Sequence, residues 1–131
     1  MIKNLTKKNI LSERTYYALS LWDRTRGMIR RQFQDFDAMV FFDCSAIHTM
    51  FMGMNLDVVF MDRGNRVVKT VSALPPWRPF VFAPRAYAVI EMPEGTLERS
   101  GIMPDDELEL DYRESSGVVT SGCNVMEQRN I

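Results

Sequence analysis

Apolar and polar positions change places over short runs along this chain, a pattern that favours strands over long helices. Glu107-Leu108-Glu109-Leu110-Asp111-Tyr112 has a period of two, which sends Leu108, Leu110 and Tyr112 inward and the acids to water. Tyr17 to Trp22 alternates in the same way, while Ala38 to Phe42 is a short, wholly apolar strand. The longest apolar stretch, Ile47 to Asp62, is interrupted at Gly53. It is therefore expected to form two strands, Ile47 to Met52 and Asp57 to Asp62, each covered on both faces. Asp62-Arg63-Gly64-Asn65 predicts a tight hairpin loop with Gly64 or Asn65 at positive φ. Arg66 to Val71, rich in β-branched residues, returns as the antiparallel partner. Phe80 to Phe82 and Ala86 to Met92 supply two further strands, the second stopped by Pro93.

Two short helices are expected. The first runs over Thr25 to Phe33, capped by Asp23 or Thr25, with Met28, Ile29 and Phe33 as its buried stripe. The second is a turn or two over Leu97 to Ser100, opened by Gly95 or Thr96, with Gly101 placed as a C′ glycine. Between strands, Ala73-Leu74-Pro75-Pro76-Trp77-Arg78-Pro79 is too proline-rich for regular structure and reads as a stiff loop displaying Trp77 and Arg78. The fold class is mainly β, bordering on α+β: a single compact small β-barrel or sandwich of seven or eight short strands with two short helices. The expected organisation is a flexible basic arm over residues 1–16, the barrel-like domain over 17–112, and a polar, disordered tail over 113–131.

Composition narrows the functional classes. The chain has 131 residues, 46% apolar and 25% charged, the balance of an ordinary globule with a real core. A net charge of −1 argues against a nucleic-acid binder. The charge is unevenly placed: residues 1–31 carry +6 and residues 91–114 carry −7. Either these segments lie side by side and neutralise each other, or Arg24, Arg26, Arg30 and Arg31 make an anion-binding face. No run approaches the ~18 apolar residues of a membrane span. The first fifteen residues hold no apolar signal-peptide core, so a cytoplasmic setting is expected. Cys44 and Cys123 make no disulfide framework, and no C-x-x-C pair suggests zinc; Cys44 reads as a small buried hydrophobe and Cys123 as a tail thiol.

Candidate chemistry gathers around the only histidine. His48, Met50, Met52 and Met54 would share one face of an unbroken strand, and thioethers with imidazole suit Cu(I). Gly53 breaks that register, and methionines in apolar strands usually fill core, so no metal is expected. His48 with Asp57 is the better polar pair: a general base oriented by a carboxylate, or a buried histidine satisfied by it. Cys44, four residues before His48, offers a thiol alternative. Trp77 and Arg78 form the best binding pair, a rigid ring beside a planar cation. Their alternative is a core lid with Arg78 paired to an acid. No phosphate-cradling glycine loop, nucleotide fingerprint or repeat is present.

The chain resembles domain-of-unknown-function family 192. The matching pieces are R-T-R-G-M-I-R-R (Arg24 to Arg31), I-H-T-M-F-M (Ile47 to Met52), L-D-V-V-F-M-D (Leu56 to Asp62), G-N-R-V-V (Gly64 to Val68) and P-P-W-R (Pro75 to Arg78). A-V-I-E-M-P-E-G-T-L-E-R-S-G-I-M-P-D-D-E-L (Ala88 to Leu108) completes them. The resemblance implies a mostly-β, barrel-like domain with one helix in its first third and no established activity. It carries over Arg26, Gly27, Arg31, His48, Phe51, Met52, Asp57, Trp77, Arg78, Gly95 and Gly101. Two positions depart from the pattern: Asn55 stands where the family usually has proline, and Asp105 where it usually has glycine. Both fall in turns and bear on loop shape rather than fold.

The expected function is a non-catalytic binding or accessory domain, without a cofactor, recognising a small anionic or aromatic ligand or a protein segment. Its site would gather His48, Asp57, Trp77, Arg78, Arg26 and Met52. The alternatives are a hydrolytic or soft-metal-assisted enzyme using His48 with Asp57 or Cys44, and a purely structural module.

Overall fold

The computed structural model describes residues 1–19 and 33–111. At its centre is a five-stranded sheet in the order β3-β4-β9-β6-β7. Its strands are β3 (Thr15–Tyr17), β4 (Ala38–Phe42), β6 (Leu56–Met61), β7 (Val67–Leu74) and β9 (Ala88–Pro93). β3 runs parallel to β4, and the other neighbours are antiparallel. All six residues of β6 are buried, as expected of a strand whose apolar run does not alternate.

Each face of this sheet has its own core. On one side Val40, Val59, Met61, Ile90 and Met92 pack with Ile2, Leu11, Leu97 and Leu108. These last come from a three-stranded antiparallel sheet, β10-β1-β2, and from helix α1 (Thr96–Ser100). Here β1 is Ile2–Asn4, β2 is Asn9–Ser12 and β10 is Leu108–Leu110. On the other side Met39, Phe41, Leu56, Val58, Phe60 and Val89 pack with Cys44, Met52 and Ala83. That layer comes from a two-stranded ribbon of β5 (Ala46–Ile47) and β8 (Val81–Phe82) with its flanking loops.

The chain is therefore mainly β, but the strands of the described residues form three separate sheets and do not close into one barrel. Ten strands and one helix are present among the described residues. The first and last of the described strands, β1 and β10, pair with each other, Ile2 opposite Leu110 and Asn4 opposite Leu108, instead of extending the central sheet. The segment expected to be a flexible arm is thus structured through most of its length. Ile2 is fully buried and anchors β1 in the core, a role its basic surroundings concealed. Lys3 stands across from Glu109, and Lys7 bridges Asp106 at 2.8 Å, so the oppositely charged ends do lie side by side here. The expected helix over Thr25 to Phe33 lies outside the described residues except for Phe33, and so do the four arginines and the tail from residue 112 onward.

The hairpin between β6 and β7 turns at Asp62 to Asn65 as expected, with Asn65 at φ 63°. Asp62 Oδ1 accepts from the Gly64 and Arg66 N–H groups and stabilises that turn. The strand expected over Ile47 to Met52 is corrected. Pairing stops at Ile47, and His48 to Asn55 is a loop with a turn at Met50 and Phe51.

Candidate functional site

Asp57 is the second residue of β6 and is wholly buried. Opposite it, the register of β7 slips between Leu74 and Val71, a β-bulge that frees a backbone donor. Asp57 Oδ1 accepts that donor, the Ala73 N–H, at 2.9 Å, and Ala73 takes φ 50°. Oδ2 accepts from Gly95 N–H at 3.0 Å and Leu97 N–H at 2.8 Å, the first free donors of α1. One carboxylate thus fixes a bulge and a helix start. None of these bonds reaches His48, Trp77 or Arg78. Asp57 projects toward Leu97 on one face of the sheet, whereas Ile47, Met52 and Met54, which flank His48, pack on the other.

His48 is half-buried, and its Nδ1 accepts from the Met50 N–H at 3.2 Å, closing its own turn. Its neighbour Thr49 is the connecting residue. The Thr49 N–H donates to Arg78 O at 2.9 Å, and Thr49 O accepts from Trp77 N–H at 2.8 Å and Met52 N–H at 3.2 Å. The hydroxyl donates to Pro75 O at 2.7 Å and accepts from Arg78 N–H at 2.9 Å. Fully buried, Thr49 ties the loop after β5 to the proline-rich loop before β8. The sequence offered one clue to this, a lone hydroxyl within an apolar run.

This tie sets two aromatic rings together. Phe51 and Trp77 stand at adjacent turns with centroids 5.0 Å apart and planes at 65°, the edge-to-face arrangement aromatic quadrupoles favour. Both backbones are left-handed, φ 64° at Phe51 and 68° at Trp77. Such conformations cost about 1–3 kcal/mol each in a bulky residue and persist where surrounding structure enforces them. Both rings are more than half exposed, 62% and 56%. Further along the chain, Phe80 before β8 and Phe82 within it are also exposed, with centroids 4.9 Å apart.

Of the candidate residues, the structure brings together His48, Trp77 and Arg78, and it places Asp57 elsewhere. Met52 is core, at 6% exposure, and Arg26 lies outside the described residues. Trp77 is no lid: its ring points outward beside Phe51. Cys44 is core, at 2% exposure, in keeping with its reading as a small buried hydrophobe, and its Sγ lies 3.2 Å from Ala46 O. Among the described residues there is no cluster of three or more potential metal-ligating His, Cys, Asp and Glu side chains.

The sequence reading missed one buried acid. Glu91 on β9 has Met39 and Val58 as cross-strand neighbours, is only 4% exposed, and has no hydrogen-bond partner for Oε1 among the described residues. Burial pushes its carboxyl up to about 8. In sequence it looked like one more acid in an acidic stretch, although it follows Ala88-Val89-Ile90 without a break.

These strands, the double core and the Asp57-capped helix define a mainly-β domain with a loop-borne aromatic surface. The chain belongs to domain-of-unknown-function family 192, described as "Uncharacterized ACR", whose pattern matches residues 3–110. It is 28% identical over 137 residues to a UPF0127 protein of Thermococcus sibiricus, covering all of this chain and 88% of the relative. It is 43% identical over 54 residues to a UPF0127 protein of Pyrococcus horikoshii, covering 41% of this chain and 46% of that one. A protein of unknown function from Novosphingobium aromaticivorans shares the fold at TM-score 0.64 and 23% identity, over 73% of this chain and 74% of its own. A candidate transcription regulator from Sinorhizobium meliloti does so at TM-score 0.64 and 22% identity, over 72% and 79%. At these identities the two structures speak to fold alone. No helix among the described residues is long and apolar enough to cross a membrane.

Proposed function

We propose that this chain is a non-catalytic binding domain. Its recognition surface is the pair of loops from His48 to Met52 and from Pro75 to Phe82, with Phe51 and Trp77 as anchors and Arg78 as the polar contact. One observation carries this reading: two large rings are held at adjacent turn tips, exposed, each on a left-handed backbone. Exposing bulky aromatics on strained backbone opposes folding, and such strain collects at functional sites. Rigid rings beside a planar cation give contact area at low entropic cost.

The engagement of the other candidates favours binding over hydrolysis. The His48 Nδ1 accepts a backbone bond, Asp57 serves three backbone donors, and Cys44 is buried in the core at 2% exposure. A thermal-shift screen of small anionic and aromatic compounds tests the reading. Compounds that raise the melting temperature of the wild type are expected to lose most of that effect in Phe51→Ala/Trp77→Ala. Equal shifts in both proteins would place the binding elsewhere and refute it.

A further inference from the structure

The proposed binding surface has a charge environment unlike the rest of the chain. Seventeen acids are present in all, yet none falls in residues 44–56 or 63–90. Residues 63–90 carry Arg63, Arg66, Lys69, Arg78 and Arg85. Three of these are engaged within the fold. The Arg63 guanidinium lies 4.2 Å from the Tyr87 ring centroid, Arg66 Nη1 donates to Asp105 O, and Lys69 Nζ donates to Phe82 O. Arg78 and Arg85 are exposed and make no side-chain hydrogen bond or ion pair among the described residues. Four exposed rings, Phe51, Trp77, Phe80 and Phe82, and two uncommitted guanidinium groups thus lie on two segments that hold no acid of their own; Glu94 meets the first of them at Asn55, whose Nδ2 donates to Glu94 Oε1 at 3.4 Å.

Resting on the binding reading above, we propose that these segments dock on an anionic lipid surface, their rings entering the headgroup layer and Arg78 and Arg85 facing lipid phosphates. Three features favour a membrane over a protein segment. Phe51 and Trp77 sit at turn tips and stand out from the fold, the shape that enters a soft interface. Tryptophan and phenylalanine are residues that settle at the headgroup level. The cations are unopposed by any acid in the same segments, so an anionic surface attracts them although the whole chain carries −1.

Co-sedimentation of the full chain with vesicles tests this. Vesicles of phosphatidylcholine with phosphatidylglycerol are expected to retain the protein more strongly than phosphatidylcholine alone, and added salt should weaken retention. Arg78→Ala should lower the partition coefficient about fivefold, the weight of one cation at an anionic surface. Phe51→Ala/Trp77→Ala should lower it about tenfold or more. Both rings are over half exposed, and a circular-dichroism spectrum matching wild type excludes unfolding as the cause. Soluble glycerol phosphate, the headgroup without its chains, is expected not to compete; full competition would overturn the lipid surface in favour of a phosphate pocket.

Equal retention by both vesicle types, or retention unchanged in the ring variant, also overturns the proposal. If neither vesicle retains the protein while compounds or an acidic, aromatic-rich peptide still act through Phe51 and Trp77, the membrane inference fails and the binding reading stands. If these probes fail as well, both fall.

Discussion

Asp57 Oδ2 accepts a 2.8 Å hydrogen bond from the backbone N–H of Leu97, forty residues further along the chain, at the start of α1. With the Gly95 and Ala73 bonds, this makes Asp57 the acceptor for three backbone donors. Gly95 itself gives no side-chain cap, so the helix borrows its cap from a neighbouring strand.

Asp57→Asn is therefore expected to destabilise the fold by roughly 2–4 kcal/mol, because an amide nitrogen cannot accept from Leu97 or Gly95 and a buried donor goes unpaired. Urea denaturation measures this. A variant within experimental error of wild type would show that Asp57 is not the structural acceptor described.

Thr49→Val keeps the volume of Thr49 and removes the hydroxyl that bridges Pro75 O and Arg78 N–H. The expected loss is about 1–3 kcal/mol, with Thr49→Ser close to wild type. Amide hydrogen exchange should accelerate at Trp77 and Arg78 in the valine variant. Unchanged protection there would mean that the two loops are held by something else.

Asp105 takes φ 78°, a left-handed backbone, where the family pattern usually has glycine. The departure noticed in the sequence thus leaves the turn geometry in place and moves its cost onto an aspartate. Asp105→Gly should raise stability by roughly 1 kcal/mol, since glycine adopts this region freely. A lower melting temperature would contradict this account of the turn.

Glu91 and Asp106 give stability opposite pH dependences. Glu91 is raised by burial from 4.5 to about 8, so the folded state holds a proton that the unfolded state releases. Its favourable contribution is full below about 4.5 and is lost as pH rises through about 8. The loss amounts to roughly 5 kcal/mol at most. At Asp106, burial pushes the carboxyl up, but hydrogen bonds from Lys7 and Asn4, the Met103 N–H and the Lys7 charge prevail and hold it lowered. Its contribution is present above the ordinary aspartate range and is lost as pH falls through the lowered value. Melting temperature measured across pH should decline toward alkaline pH in the wild type and flatten in Glu91→Gln. An alkaline decline unchanged in that variant would assign it to another group.

The sequence was most legible where one physical rule acted locally. Ala38 to Phe42 is a strand to the residue, Asn65 takes the positive φ its hairpin needs, and Gly101 caps α1 at φ 70°. Reading failed where distant pairing decided the outcome. Ile2 looked like part of a basic arm because its partner, Leu110, lies at the other end of the fold. His48 and Asp57 looked like a pair because nine residues separate them, yet the alternation of β6 sends Asp57 to the α1 side. Trp77 and Arg78 were legible as a display loop, since prolines on both sides forbid regular structure. Phe51 was not singled out for that role, because its exposure depends on the strand ending at Ile47.

The central claim is that the Phe51–Trp77 loop pair is the recognition surface. Its most direct test is a residue-resolved NMR titration of the isotope-labelled full chain with the compounds that pass the thermal-shift screen. The account predicts shifts concentrated at His48 to Met52 and Trp77 to Phe82, with Asp57, Gly95 and Leu97 undisturbed. Shifts centred on Asp57 and α1, with the loop pair silent, would contradict it.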